Sequence, residues 1–339
     1  MEVSPQVLAA FALILTAAAM NGAYAIPLRF MTRWKWENAW AIWTVESMLV
    51  LPVVTALLTV PGLVEAYART SGGTFAMMCV FGAFWGVGVL MIGMSFPLVG
   101  VAVGNAVALG SAAALGSLLP LFGQQSNKLG TRAGNQILIG VMVLLAGVAV
   151  CGWAGREREF RQGLGVSGHG KAVPGFLLAL VGGSLTSLLN IALAYGGPIL
   201  DAVRARQPQS AMAANAVWVP VLFAGGMPGL VYCLWLLRRH RSASAFGAGG
   251  TSAYWLLTLV MAALWFGSVL LYGIGALRIG SLGAVIGWPV FMSGAVVASF
   301  AWGALAGEWR KSGSKPVALM LAGIVLLVAA MVLFGIAGS

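Results

Sequence analysis

One carboxyl stands apart from the other seven acidic side chains of this 339-residue chain. Glu46, in Ala41-Ile-Trp-Thr-Val-Glu46-Ser-Met-Leu-Val, lies about seven residues inside an apolar run, about 10 Å along a helix rising 1.5 Å per residue. The other acids sit in connections, tails or the ends of apolar runs. An ionised group at the centre of a membrane-crossing helix costs about 2.5–3.5 kcal/mol even on the lenient insertion scale. A carboxyl so placed is suited to take up and give back a proton, which makes Glu46 the candidate proton carrier. The plainer alternatives are a carboxyl that stays neutral, or one that reaches a loop base such as Arg29.

The uncharged polar residues inside apolar runs form a second set. Asn21, Tyr24, Asn105, Asn190, Tyr195, Asn215 and Tyr272 offer donors and acceptors without charge, and Trp85, Trp218, Trp265 and Trp288 offer flat apolar faces. Amides and phenols suit hydroxyls, and an indole suits a C–H face, so the mixture fits a neutral polyhydroxy solute. Each residue taken singly also fits an interhelical tie or an aromatic at the membrane interface. Nothing else points to chemistry on a substrate. There is no nucleophile–His–acid set, no phosphate-binding loop and no pair of carboxylates within the apolar segments. Gly86-x-Gly88 and Gly280-x-x-Gly283 superficially suggest nucleotide loops but lack a strand–turn–helix setting. They are expected to be packing notches, as is Gly100-x-x-x-Gly104.

The elements that must position these residues follow from composition. The chain is 60% hydrophobic and 8% charged, against about a quarter charged in a soluble domain, so lipid must solvate most of its surface. The net charge of +11 resides in short connections between apolar runs, where topology signals belong, and a nucleic-acid partner is not expected. Cys79, Cys151 and Cys233 stand singly, and His169 and His240 lie in loops; neither a disulfide framework nor a metal site is indicated, and no cofactor is expected. Ala23-Tyr24-Ala25 mimics a cleavage site, but the leader carries no positive charge, so the first apolar run is expected to remain as a span.

Ten runs can be counted, about 7–27, 39–60, 75–95, 97–122, 134–153, 174–200, 211–237, 254–275, 281–303 and 317–337. None alternates with a period of two, so all are expected to be helices. A turn is expected at Phe96-Pro97. The longest connector, 154–173, carries Arg156, Arg158, Arg161 and Lys171 and divides the chain into 1–153 and 174–339. The halves echo one another. Trp85, Gly93 and Gly100 stand eight and seven residues apart, and 180 positions later Trp265, Gly273 and Gly280 repeat the spacing, with Gly123 matched by Gly303. Tyr24-x-x-Pro27 is answered by Tyr195-x-x-Pro198, each with an asparagine upstream (Asn21, Asn190). Pro52 and Pro61-Gly62-Leu63-Val64 are answered by Pro220 and Pro228-Gly229-Leu230-Val231. Five spans per half is an odd number, so the second half enters the membrane from the other side. The expectation is an all-α membrane protein of ten transmembrane helices in two inverted five-helix repeats, the plan of many secondary transporters. Pro27, Gly88, Gly93, Gly100, Gly104, Pro198, Gly273, Gly280 and Pro289 are then candidate hinge and packing positions. Alternate connections hold thirteen Lys and Arg on one side and six on the other; the positive-inside rule puts both termini outside.

Tyr24-x-x-Pro27, Trp34-x-Trp36-Glu37-x-x-Trp40, Trp85-Gly86-x-Gly88 and Glu308-Trp309-x-x-x-Gly313-x-x-Pro316 resemble the L-rhamnose–proton symporters of the drug/metabolite transporter superfamily. The resemblance runs over nearly the whole chain, and the tryptophan-rich first loop is its most specific part. It implies ten helices in two inverted repeats and proton-driven uptake of a deoxy sugar across the bacterial inner membrane. An apolar patch in the pocket would suit the methyl of rhamnose. No catalytic residue is carried over. The glycine-rich ninth run, from Ile279 through Trp288-Pro289, leaves the sugar open, and an exporter of the same fold and a sugar-binding membrane sensor stay open as well. The expected partners are a small neutral sugar, protons and the lipid bilayer; a homodimer is left open.

Overall fold

The computed structural model describes residues 5–163, 172–208, 210–310 and 312–338; His169, Lys171 and the middle of the expected connector lie outside them. Because hydrocarbon offers no partner for a peptide N–H or C=O, a chain this apolar must close its backbone bonds within each segment. Ten helices long and apolar enough to cross a bilayer result: α1 Pro5–Phe30, α2 Trp36–Thr59, α3 Gly72–Val99, α4 Val101–Gly123, α5 Arg132–Arg161, α6 Ala172–Arg204, α7 Ala214–Arg239, α8 Ser252–Ile279, α9 Gly283–Leu305 and α10 Ser314–Gly338.

Local chemistry sets their ends. Ser71 Oγ accepts from Thr74 N and Thr131 Oγ1 from Gly134 N, both at 3.2 Å, capping α3 and α5. α3 does not turn at Phe96-Pro97. Proline removes only one bond of the final turn, and the helix continues to Val99. It stops at Gly100, whose φ of +86° only glycine adopts freely. Gly280 ends α8 in the same way, with φ +88°. α5 runs on to Arg161, so Arg156, Arg158 and Arg161 project from its last turns and not from a loop. α6 is interrupted at Ser187 and Gly196, with Pro198 opening its last segment. Pro27 similarly opens a 3-10 turn, Ile26–Phe30, that finishes α1.

α1 packs on α8 and α9, while α6 packs on α3 and α4; α4 lies on α5 and α9 on α10. The pairs α2–α7, α4–α9 and α5–α10 join the two halves. Adding five to each helix number of the first half, and subtracting five in the second, carries these relations onto themselves. The shared glycines permit the tightest crossings. A methyl on Gly82 or Gly86 of α3 would overlap the carbonyl oxygens of Val221 and Gly225 in α7, and one on Gly88 would stand 2.6 Å from Gly182 O in α6. Gly104 faces Ser95 and Phe96, and Gly273 faces Trp218 and Ala214, whereas Gly93 meets nothing within 4 Å. Pro289 lies inside α9.

Pro52 and Pro220 both lie within their helices, but the second part of the proline echo is not structural. Pro61-Gly62 follows the end of α2, where Gly62 adopts φ +75°, while Pro228-Gly229 lies in mid-α7. Gly, Leu and Val are common enough in apolar helices to match by chance.

Candidate functional site

At the middle of the bundle four rings converge from four helices. Tyr24 of α1 stacks on Trp43 of α2 with centroids 5.7 Å apart, and Trp43 meets the edge of Trp265 of α8 at 5.4 Å. Trp265 in turn faces Trp85 of α3 at 5.8 Å. Trp85 and Trp265 are the two tryptophans that share the repeated spacing 180 positions apart. Trp40 extends the cluster, 4.7 Å from Trp43.

Glu46 follows Trp43 by three residues, within a π-helical stretch of α2, Val45–Val50. Such widened turns are rare and occur often at functional sites. One carboxyl oxygen receives a long bond, 3.5 Å, from Thr258 Oγ1 of α8. The other has no partner, and neither has Trp43 Nε1 or Ser47 Oγ. No cation pairs with Glu46 among the described residues, and Arg29 instead pairs with Glu308. The carboxyl is therefore held by one long contact with a neutral hydroxyl.

A second polar cluster is already saturated. Asn190 Nδ2 donates to Gly116 O at 2.7 Å and to Ala284 O at 2.9 Å, and its Oδ1 accepts from Tyr272 OH. Trp288 Nε1 donates to Ala112 O at 3.0 Å, with its ring seated on Gly116. Asn190, Tyr272 and Trp288 thus tie α4, α6, α8 and α9 together with no group left for a ligand. Asn21 likewise ties α1 to α8 through Ser268 Oγ at 3.2 Å. Asn215 bonds Thr59 at 2.9 Å, keeps Oδ1 unpaired and lies one turn from the fully buried Trp218, whose Nε1 is also unpaired. Tyr195 is 36% exposed beside Phe81, and Asn105 is exposed on α4; neither joins the central cluster. Of the residues expected at the site, then, Tyr24, Trp85 and Trp265 come together with Trp43, and Glu46 lies one turn along α2 from Trp43.

Trp43, Ser47 and Thr258 complete that group without having been singled out from the sequence. The signal that could have found one of them is spacing: Trp43 precedes Glu46 by three residues, which puts the indole on the carboxyl's side of the helix.

The face carrying the α1–α2 and α7–α8 connections is tied shut. Glu37 Oε1 accepts from Ser242 Oγ at 2.8 Å and pairs with His240 Nδ1 at 2.9 Å. Asn38 Nδ2 donates to Ser242 O at 2.9 Å, and Trp34 Nε1 to Ala245 O at 3.0 Å. Trp34 also stands edge-on to Phe246, Tyr254 and Trp255 at 5.3–5.6 Å. On the same face Glu308 bridges Arg29 and Arg158, and Arg158 lies 4.8 Å over Trp309. The opposite face is held more lightly, by Tyr67 OH to Ala216 O at 2.8 Å and an exposed Arg206–Glu65 pair at 3.9 Å. There a hollow of about 620 Å³ opens between the start of α1, the end of α8 and the α6–α7 connection. The space left beside Trp43 and Trp85 amounts to about 20 Å³, so the rings are closed on themselves. Among the described residues no three metal-binding side chains gather, and the three cysteines are unpaired.

Fold and site together define a ten-span, all-helical membrane protein with a neutral aromatic site and one unpaired carboxyl closed inside the bundle. The sequence profile of the L-rhamnose-proton symport protein family (RhaT) matches residues 4–338, and the chain belongs to that family. It is 27% identical over 329 residues, 95% of each chain, to the L-rhamnose-proton symporter of Cronobacter sakazakii, and equally so to the Yersinia pestis protein of that name. A protein crystal structure superposes with a TM-score of 0.61, covering 96% of both chains at 17% identity; that likeness concerns the fold.

Proposed function

We propose that this chain moves L-rhamnose or a related deoxy sugar inward together with protons, without chemical conversion, by alternating access. The observation that carries the reading is the Glu46 carboxyl, without a cation among the described residues and one turn along α2 from the ring cluster of Tyr24, Trp43, Trp85 and Trp265. An indole pair offers the apolar faces that a sugar's C–H surface and methyl group favour, and a carboxyl without a cation can change protonation with its surroundings. The two halves act as inverted repeats, 1–153 and 174–339, rocking about the seam between them, with Gly100 and Gly280 as matched hinges. Exchange symmetry in the helix packing supports this division. By the Lys and Arg count the clasped face is cytoplasmic and both termini are periplasmic, in the inner membrane of a bacterium. The protein then stands with its inner mouth shut.

The test is uptake of labelled L-rhamnose into proteoliposomes under an inward proton gradient. Wild type accumulates the sugar, and Glu46→Gln loses accumulation while retaining exchange of labelled for unlabelled sugar. Undiminished accumulation by the variant removes Glu46 from the mechanism, and outward flux of other solutes alone replaces the importer with an exporter.

A further inference from the structure

Buried polar groups in folded proteins nearly always find a partner, and α2 departs from that rule three times in five residues. Trp43 Nε1, Glu46 Oε2 and Ser47 Oγ are all buried without a bond; Trp43 is 3% exposed and Ser47 0%. Several helical hydroxyls return to a carbonyl one turn back, as Thr44 does to Trp40 O at 2.8 Å, Thr59 to Thr55 O and Ser111 to Val107 O, whereas Ser293 of α9 is, like Ser47, buried without a bond. Ser47, which makes no such bond, lies in the π-helical stretch Val45–Val50. Positions 43 and 47, one turn apart, lie on one side of the helix, with Glu46 on the flank of that side.

The chemistry of the three atoms is complementary. An indole N–H can only donate, whereas a serine hydroxyl donates and accepts. The free carboxyl oxygen accepts, or donates when protonated. Across from them stand Thr258, already bonded to Trp255 O at 2.9 Å, and the rings of Tyr24 and Trp265. A metal ion would find no second carboxylate here, and an anion would find no cation. A vicinal diol on an apolar ring satisfies all three atoms at once. Resting on the transport reading above, we infer that Trp43 Nε1 and Ser47 Oγ bind adjacent hydroxyls of the sugar, which brings one of them against Glu46. On this reading the π turn sets Ser47 apart from the carbonyls of its own helix. It also places sugar and proton on one turn of one helix, so that each alters the other's binding by contact.

The experiment uses the purified full chain in nanodiscs, with binding of labelled L-rhamnose and of a panel of its monodeoxy analogues. Ser47→Ala weakens L-rhamnose about tenfold, equivalent to about 1.4 kcal/mol. It also levels the discrimination against the one analogue that lacks the hydroxyl Ser47 holds. Without sugar its thermal midpoint stays the same or rises, because an unpartnered buried hydroxyl has been removed. Trp43→Phe gives the same pattern for a neighbouring hydroxyl. A purely structural serine would behave in the opposite way, with a lower midpoint and an unchanged sugar profile, and that result overturns the assignment. Should wild type bind no sugar of the panel, the transport reading itself falls and this assignment with it. If wild type binds and Ser47→Ala matches it for every analogue, the assignment alone falls.

Discussion

The clasp between the α1–α2 and α7–α8 connections must part if the clasped face is ever to open, and its strength can be worked from its bonds. Glu37 is 4% exposed and receives Ser242 Oγ at 2.8 Å and His240 Nδ1 at 2.9 Å on one oxygen. A hydrogen bond to a charged group contributes about 1.5–3 kcal/mol, so Ser242→Ala should shift the closed-to-open balance about 10- to 150-fold toward open. Cys233 reports on this directly. It is 0% exposed against Ala41 and Leu237, with Trp40 and Phe246 packed over it. In a Cys79→Ser, Cys151→Ser background, maleimide should label Cys233 faster by that same factor when Ser242 is replaced. Glu37→Gln should accelerate labelling further, since it weakens both bonds. An unchanged labelling rate accompanied by a lower thermal midpoint would refute the reasoning, because the bonds would then hold a loop in place without governing the mouth.

Other consequences are structural. Gly86→Ala drives a methyl into Gly225 O across the α3–α7 crossing; overpacking of this kind costs about 1–3 kcal/mol, and an unshifted thermal midpoint in detergent would deny the close approach. Asn190→Ala strips partners from Gly116 O, Ala284 O and Tyr272 OH, for a loss of a few kcal/mol. Asn105→Ala, at an exposed position, should stay within about 0.5 kcal/mol; equal effects of the two would mean that Asn190 is not a tie. A reporter fused to the C-terminus and active only in the periplasm should give signal, and a signal from the cytoplasmic reporter alone inverts the orientation.

Much of the architecture was legible from the residues because hydrocarbon leaves a backbone so few choices. Hydropathy alone marks ten helices, since a segment that must close its own bonds in lipid cannot become anything else. The break expected at Phe96-Pro97 lies instead at Gly100, and Gly280, 180 positions on, ends α8 in the same way, for only glycine adopts their φ freely. Glu46 stood out because a carboxyl inside an apolar run is rare. Local features of this sort, in which one residue constrains its own backbone or solvation, are carried by the chain itself.

Facing was another matter. In a soluble helix a polar stripe marks the outward side, but lipid is as apolar as the bundle interior, so the helices here carry no such mark. Asn190, Tyr272 and Trp288 looked as much like ligand groups as Trp43 and Ser47 did not. Only the packing of α4, α6, α8 and α9 closed the first set on itself. It likewise took the packing around α2 to leave the second set without partners, and the rotation of α4 and α6 to leave Asn105 and Tyr195 exposed. The chain's own residues determine that it crosses the membrane ten times and where its helices break. Which side chains meet at the seam, and which of them remain unbonded, is decided by the register of one helix against another, a relation between segments far apart in the chain.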